Sequence, residues 1–194
     1  MKLVIIKYNA GNIQSVSFAL ERLGVDFAIT DDIEQIKSAD KVIFPGVGEA
    51  STTMNFLKGK KLDVVIKSLK QPVLGICLGM QLMCNHSEEN DTPCLGIFDQ
   101  TVKRFAPKAD MKVPHMGWNQ LTRCKEWLDQ RLEDQHVYFV HSYYVPVNQY
   151  TSAVTEYINP FSAAMHKNNF YAVQFHPEKS AEAGELVLKS FLRL

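Results

Sequence analysis

Val73-Leu74-Gly75-Ile76-Cys77-Leu78-Gly79-Met80-Gln81 is the stretch on which the fold turns. The apolar run Val73–Ile76 follows Pro72 and reads as a buried strand, and the residues after Cys77 read as the start of a helix. Gly-x-Cys-x-Gly between strand and helix has the form of a nucleophile elbow, with Cys in place of Ser. So sharp a turn brings the strand backbone against the helix start, and a side chain at Gly75 or Gly79 would clash. The turn raises the Cys77 sulfur at the carboxyl end of the sheet, where open α/β folds place their sites. The free N–H groups of a helix start favour a thiolate. A thiol needs that help, because only a few per cent of it is ionised near neutral pH. On this stretch alone a buried structural cysteine remains the alternative. Cys84, Cys94 and Cys124 have no such setting and read as structural.

The same pattern extends upstream. Residues 2–8 carry the apolar run Leu3-Val4-Ile5-Ile6, which suits a central parallel strand. Ile13, Val16, Leu20 and Leu23 recur at helical spacing, and Gly24 ends that helix. Residues 25–30 and 41–44 read as strands, the second running into Pro45-Gly46-Val47-Gly48. Leu62, Val65, Ile66 and Leu69 mark a helix that Pro72 stops. Strands alternating with helices imply an α/β fold, a mostly parallel central sheet with helices on both faces.

Downstream, residues 137–140, 153–157, 163–166 and 170–175 read as short strands, with turns at Asn159-Pro160 and Asn168-Asn169. They are expected to extend the main sheet in antiparallel fashion. Residues 87–92 read as a polar surface loop, and Val187, Leu188, Phe191 and Leu192 form the stripe of a closing helix. Without repeats, low-complexity tracts or a linker, one domain over residues 1–194 is expected.

Lys plus Arg and Asp plus Glu number 21 each, so formal net charge is zero. That gives no global reason to expect nucleic acid or an anionic membrane as partner. The apolar start is short and broken by Lys7, a first strand rather than a secretory signal. No apolar run approaches the roughly 20 residues that span a bilayer. The cysteines show neither C-x-x-C pairing nor zinc-ligand spacing with the histidines. A cytoplasmic protein with reduced thiols is expected, and nothing in the sequence implies a metal or an organic cofactor.

The second chemical motif is His176-Pro177-Glu178, at the end of the run Phe170-Tyr171-Ala172-Val173-Gln174-Phe175. The residue before a proline is pushed toward extended angles, and i and i+2 of an extended segment point the same way. Glu178 can then meet the His176 imidazole, select its tautomer and stabilise its cation, the role of the third member of a catalytic triad. A loop histidine beside a solvated glutamate is the alternative from this tripeptide alone. His141, in an apolar strand, reads as a core or rim residue; His86, His136 and His166 show no partner pattern.

With Gly75 to Gln81 and His176-Pro177-Glu178 both present, the chain resembles the class I, or triad, glutamine amidotransferases along its whole length. Within that class it looks like the glutaminase subunits of imidazole glycerol phosphate synthases. Pro45-Gly46-Val47-Gly48, Pro114-His115-Met116-Gly117-Trp118-Asn119, Phe139-Val140-His141-Ser142-Tyr143 and His176-Pro177-Glu178-Lys179-Ser180, with Asn9 and Gly11-Asn12, carry that finer likeness by their order and spacing. The resemblance implies Cys77 as nucleophile, His176 as general base and acid, and Glu178 as its orienter. It implies an oxyanion hole from the Leu78 N–H and from Val47 and Gly48. It places Gln81 and Glu89 at the glutamine, Glu89 against the substrate ammonium, with backbone contacts from Ser142 and Tyr143.

It also implies a partner, a (β/α)₈-barrel cyclase forming a heterodimer and receiving the ammonia. Gly11 and Asn12, at the carboxyl end of the first strand, and Met116 and Trp118, large apolar groups in a glycine-containing segment, are the expected docking residues. Trp118 could instead be a core residue. Competing functions are a glutaminase serving another acceptor, a stand-alone hydrolase and a non-catalytic binding subunit, the last disfavoured by the intact triad.

Overall fold

Alternate residues of the first apolar run enter opposite core layers. Val4 and Ile6 join one layer with Ile36, Met54, Leu57 and Ile66, while Leu3 and Ile5 join the other with Val16, Leu20, Leu188 and Phe191. A strand buried on both sides needs apolar residues at every position, and this one has them. The structure, a computed structural model, describes residues 1–8, 12–108 and 110–194.

In chain order the first half comprises β1 (Leu3–Ile6), α1 (Ile13–Arg22), β2 (Phe27–Thr30), α2 (Ile33–Lys37), β3 (Lys41–Phe44), α3 (Ala50–Gly59), α4 (Leu62–Ser68), β4 (Val73–Ile76) and α5 (Leu78–Leu82). Then follow β5 (Cys84–Ser87), β6 (Thr92–Pro93), β7 (Phe98–Arg104), β8 (His115–Gln120), β9 (His136–His141), β10 (Tyr143–Tyr144), β11 (Thr151–Glu156), β12 (Pro160–Lys167), β13 (Phe170–Val173) and α6 (Ala181–Leu192).

The main sheet runs β11-β12-β13-β4-β3-β1-β2. From β13 to β2 every pairing is parallel, and β12 and β11 are added antiparallel at the far edge. Helices α2, α3, α4 and α5 contribute to one core layer, α1 and α6 to the other. The expected architecture therefore stands, and β3 and β4 have the expected bounds.

Two expectations change. Residues 137–140 do not extend the main sheet; they lie in β9, which among the described residues forms a two-stranded antiparallel sheet with β8. Residues 87–92 are not a plain surface loop. Ser87 ends β5, Glu89–Asp91 forms a 3₁₀ turn, and Ser87 and Thr92 are buried. These strands join β7 and β10 in a smaller sheet, order β10-β7-β5-β6. Helix α3 follows the glycine-containing loop after β3. Glu49 caps it, accepting hydrogen bonds from the backbone of Ser51 and Thr52 at 2.8 Å each.

Topology gathers the functional groups. The neighbouring parallel strands β13, β4, β3 and β1 end side by side, and the chain leaving them carries His176, Cys77, Val47 and Asn12 in turn. The carboxyl ends of adjacent parallel strands are where an open α/β sheet forms its crevice.

Candidate active site

Cys77 stands between β4 and α5 at φ 52°, ψ −107°, a conformation that non-glycine residues avoid. Neighbours hold it there: its N–H donates to the Val173 carbonyl on β13 at 2.8 Å. The flanking glycines are obligatory. A Cβ on Gly79 would lie 2.1 Å from the Phe44 carbonyl oxygen, and one on Gly75 would lie 3.0 Å from the Gly79 carbonyl carbon. Gly46 is equally confined, between the Tyr8 hydroxyl and Leu78. Tyr8 in turn donates its hydroxyl to the Pro45 carbonyl, pinning the loop after β3 from β1.

Cys77 and His176 line one cavity of about 340 Å³ together with Val47, Gly48, Leu78, Gln81, Glu89, Ser142 and Tyr143. Each residue expected at the catalytic centre, the oxyanion hole or the glutamine is therefore at this cavity or, for Glu178, directly behind it. His176 Nδ1 and Glu178 Oε1 are 2.8 Å apart, both side chains buried. The pair meets by a different route from the extended one expected: His176 is extended, but Pro177–Lys179 is a 3₁₀ turn opened by proline. With Nδ1 committed to Glu178, His176 Nε2 is left buried without a hydrogen-bond partner in the protein, free to exchange a proton at Cys77 and the substrate.

Burial opposes a charge on His176, but the adjacent Cys77 sulfur and the Glu178 carboxylate outweigh it and push its pKa up to about 10. Asn12 also donates to Glu178 Oε1. A residue expected on the docking surface thus supports the Glu178 carboxylate. Gly11, its expected companion, lies outside the described residues.

Gln81 commits both amide hydrogens to protein, donating to the Tyr143 carbonyl and to Gln174 Oε1 at 3.0 Å each. Its own Oε1 is the atom left to accept from a ligand N–H. Glu89 accepts from the Ala50 N–H at 2.8 Å, which anchors the carboxylate at the start of α3. Burial raises its pKa, the Ala50 hydrogen bond opposes that rise, and nearby Glu49 adds to it. A cationic group would relieve that penalty. The Leu78 N–H donates to the Gly46 carbonyl at 3.2 Å. In this conformation the elbow donor is therefore already occupied.

Sequence reasoning missed Gln174. Its Nε2 donates to Cys77 Sγ at 3.6 Å, and the residue is fully buried. One signal pointed to it: it is the lone amide in the otherwise apolar run from Phe170 to Phe175. Met116 and Trp118 are 63% and 54% exposed, so the core alternative for Trp118 falls away. No group of three His, Cys, Asp or Glu side chains able to hold a metal ion occurs among the described residues, and no helix among them is long and apolar enough to cross a membrane.

The family model for glutamine amidotransferase class-I matches residues 4–193. The chain is 65% identical over 196 residues to the imidazole glycerol phosphate synthase subunit HisH of Bacteroides fragilis, covering 100% of both. It is 46% identical over 194 residues to the protein of that name from Idiomarina loihiensis, covering 100% of this chain and 98% of that one. Among solved structures, a glutamine amidotransferase superimposes with a TM-score of 0.75 at 17% identity, over 98% of this chain and 97% of that one. Another, from Thermotoga maritima, gives 0.63 at 16% identity, over 100% and 81%. At such identities the superpositions speak to fold alone.

Proposed function

The chain belongs to the class I glutamine amidotransferases, and from that premise we propose that it is the glutaminase subunit of an imidazole glycerol phosphate synthase. It hydrolyses L-glutamine to glutamate and ammonia. The ammonia passes to a (β/α)₈-barrel cyclase, its heterodimer partner, which makes imidazole glycerol phosphate and AICAR in histidine biosynthesis. The whole of residues 1–194 serves as one glutaminase domain, working in the cytoplasm. Full-length likeness to the Bacteroides fragilis subunit supports the pathway assignment. The observation that carries the chemistry is the meeting of Cys77 and His176 in one cavity, with Glu178 at 2.8 Å behind the imidazole.

The Cys77 thiolate attacks the side-chain carbonyl carbon of glutamine, and the carbonyl electrons move onto oxygen. His176 Nε2 gives its proton to the nitrogen as the C–N bond breaks, releasing ammonia and leaving a γ-glutamyl thioester. Water then attacks that carbonyl while His176 takes its proton, and collapse breaks the C–S bond, yielding glutamate and the thiolate–imidazolium pair. Acid–base assistance of this kind contributes roughly 10²–10⁴-fold.

The oxyanion needs donors, and each is worth roughly 10²–10³-fold. Leu78 N–H supplies one only when the Gly46 carbonyl lets it go. Turning the Gly46–Val47 peptide releases Leu78 and swings the Val47 N–H into the vacated place. Gly48, at φ 121°, gives the loop the backbone freedom for that turn. A partner that favours the turned state shifts the population toward activity. The test is glutamate release by the chain alone, with the cyclase, and with the cyclase and its nucleotide substrate. Turnover rises by orders of magnitude only in the third case. Full turnover by the isolated chain would make it an independent hydrolase.

A further inference from the structure

Strand β8 reverses the usual arrangement of a half-buried strand. Met116 and Trp118 face solvent, whereas His115 is 3% exposed and Asn119 is half-buried. The polar side enters a hydrogen-bonded series whose direction can be derived atom by atom. His141 Nδ1 is 2.7 Å from the Tyr143 carbonyl oxygen. A carbonyl only accepts, so Nδ1 carries the hydrogen. Burial lowers the pKa of both imidazoles, to about 3 for His141 and about 4 for His115, so both rings are neutral.

A neutral ring protonated on Nδ1 has a bare Nε2. His141 Nε2 therefore accepts from His115 Nδ1 at 3.0 Å, and His115 Nε2 accepts from Asn119 Nδ2 at 3.3 Å. The Tyr143 oxygen that ends this series also accepts from Gln81, which donates to Gln174, which donates to Cys77 Sγ. Each link has one permitted polarity, and none involves a charged histidine.

We propose that His115 and His141 are positioning residues for glutamine hydrolysis: they fix the Tyr143 carbonyl and, through Gln81 and Gln174, hold the Cys77 sulfur in register with the exposed face of β8. The proposal rests on the glutaminase reading above. Two donors on one carbonyl lock the Ser142–Tyr143 backbone, which lines the cavity. Without the His141 donor the Tyr143 carbonyl keeps only Gln81 as a side-chain partner, so carbonyl and amide can tilt together and the template for substrate binding loosens.

The experiment compares His141→Leu, His141→Asn and His115→Phe in the complex with the cyclase. It measures glutamine KM and kcat and the rate at which iodoacetamide alkylates Cys77, with thermal denaturation to confirm folding. Asparagine can place an amide N–H near the position of His141 Nδ1. Phenylalanine at 115 keeps the ring stacked on Phe139 and Tyr157, at centroid distances of 4.9 and 4.1 Å, and removes only the relay atoms.

The expected result is a KM at least tenfold higher for His141→Leu with a smaller change in kcat, and substantial recovery of KM in His141→Asn. His115→Phe should raise KM severalfold, and Cys77 alkylation should change severalfold in both non-polar variants. Folded His141→Leu and His115→Phe proteins with wild-type KM and alkylation rate would overturn the proposal. So would a His141→Asn protein no better than His141→Leu. If His141→Leu does not fold, His115→Phe alone decides by the same two readouts. A wild-type complex that does not hydrolyse glutamine contradicts the glutaminase reading instead, while the alkylation rates still report on the relay.

Discussion

Cys77 holds a left-handed backbone angle that only its surroundings make tolerable, and its reactivity depends on two further side chains in series. In the proposed mechanism His176 supplies the proton that leaving ammonia requires, and Glu178, 2.8 Å from its Nδ1, keeps that proton in place. Cys77→Ala should lower glutamine hydrolysis by roughly 10⁴–10⁶-fold while ammonia-dependent synthesis by the complex continues. Glutamate production and product formation from ammonium salts, measured side by side, check this.

The charge on His176 gives a pH prediction with a definite sign. Its pKa is raised from the ordinary 6.5 to about 10, so the acid form persists through neutral pH and is lost as pH climbs through that value. Glu178→Gln removes one of the groups raising it. The alkaline limb of the kcat/KM profile should then move down toward the ordinary histidine range. A limb in the same place would mean that Glu178 does not govern the proton on His176.

At the level of elements, α6 seats the triad's turn. Gly184 lies over Pro177, and a Cβ there would be 1.8 Å from the Pro177 carbonyl oxygen. Alanine is the better helix former by about 1 kcal/mol, but overpacking against a fixed carbonyl costs about 1–3 kcal/mol or more. Gly184→Ala should therefore lower Tm by several degrees and reduce kcat/KM by displacing His176 and Glu178, as thermal denaturation and steady-state kinetics will show.

Strands β1, β3 and β4 were readable in the sequence because central parallel strands are apolar at every position. Strand β8 was not, because its apolar residues point outward and its polar ones inward, the reverse of the expected alternation. Helix α3 was hidden for another reason: Thr53 occupies a buried position between Ala50 and Leu57 and interrupts the apolar stripe. The triad was legible because two short motifs with fixed chemistry carry it. Gln174 and the inward role of Asn12 were not, because each acts through a partner distant in sequence.

At the scale of the whole molecule, four parallel strands end at one crevice, and the exposed face of β8 adds an apolar patch. Met116 and Trp118 are the exposed pair on which docking should depend. Trp118→Ala is expected to weaken cyclase binding by about 2 kcal/mol, roughly 30-fold in Kd, without altering the alkylation rate of Cys77. Titration calorimetry and iodoacetamide labelling separate the two effects. A protein of zero formal net charge has little long-range self-repulsion, in keeping with life in a complex.

We propose that ammonia made at Cys77 reaches the acceptor without entering bulk solvent. The direct measurement supplies the assembled complex with glutamine carrying heavy nitrogen in its side-chain amide, in the presence of excess unlabelled ammonium, and reads the isotope in imidazole glycerol phosphate by mass spectrometry. Channelled ammonia should leave the product labelled almost as heavily as the glutamine amide. Product labelled only to the level of the bulk ammonium pool would contradict it.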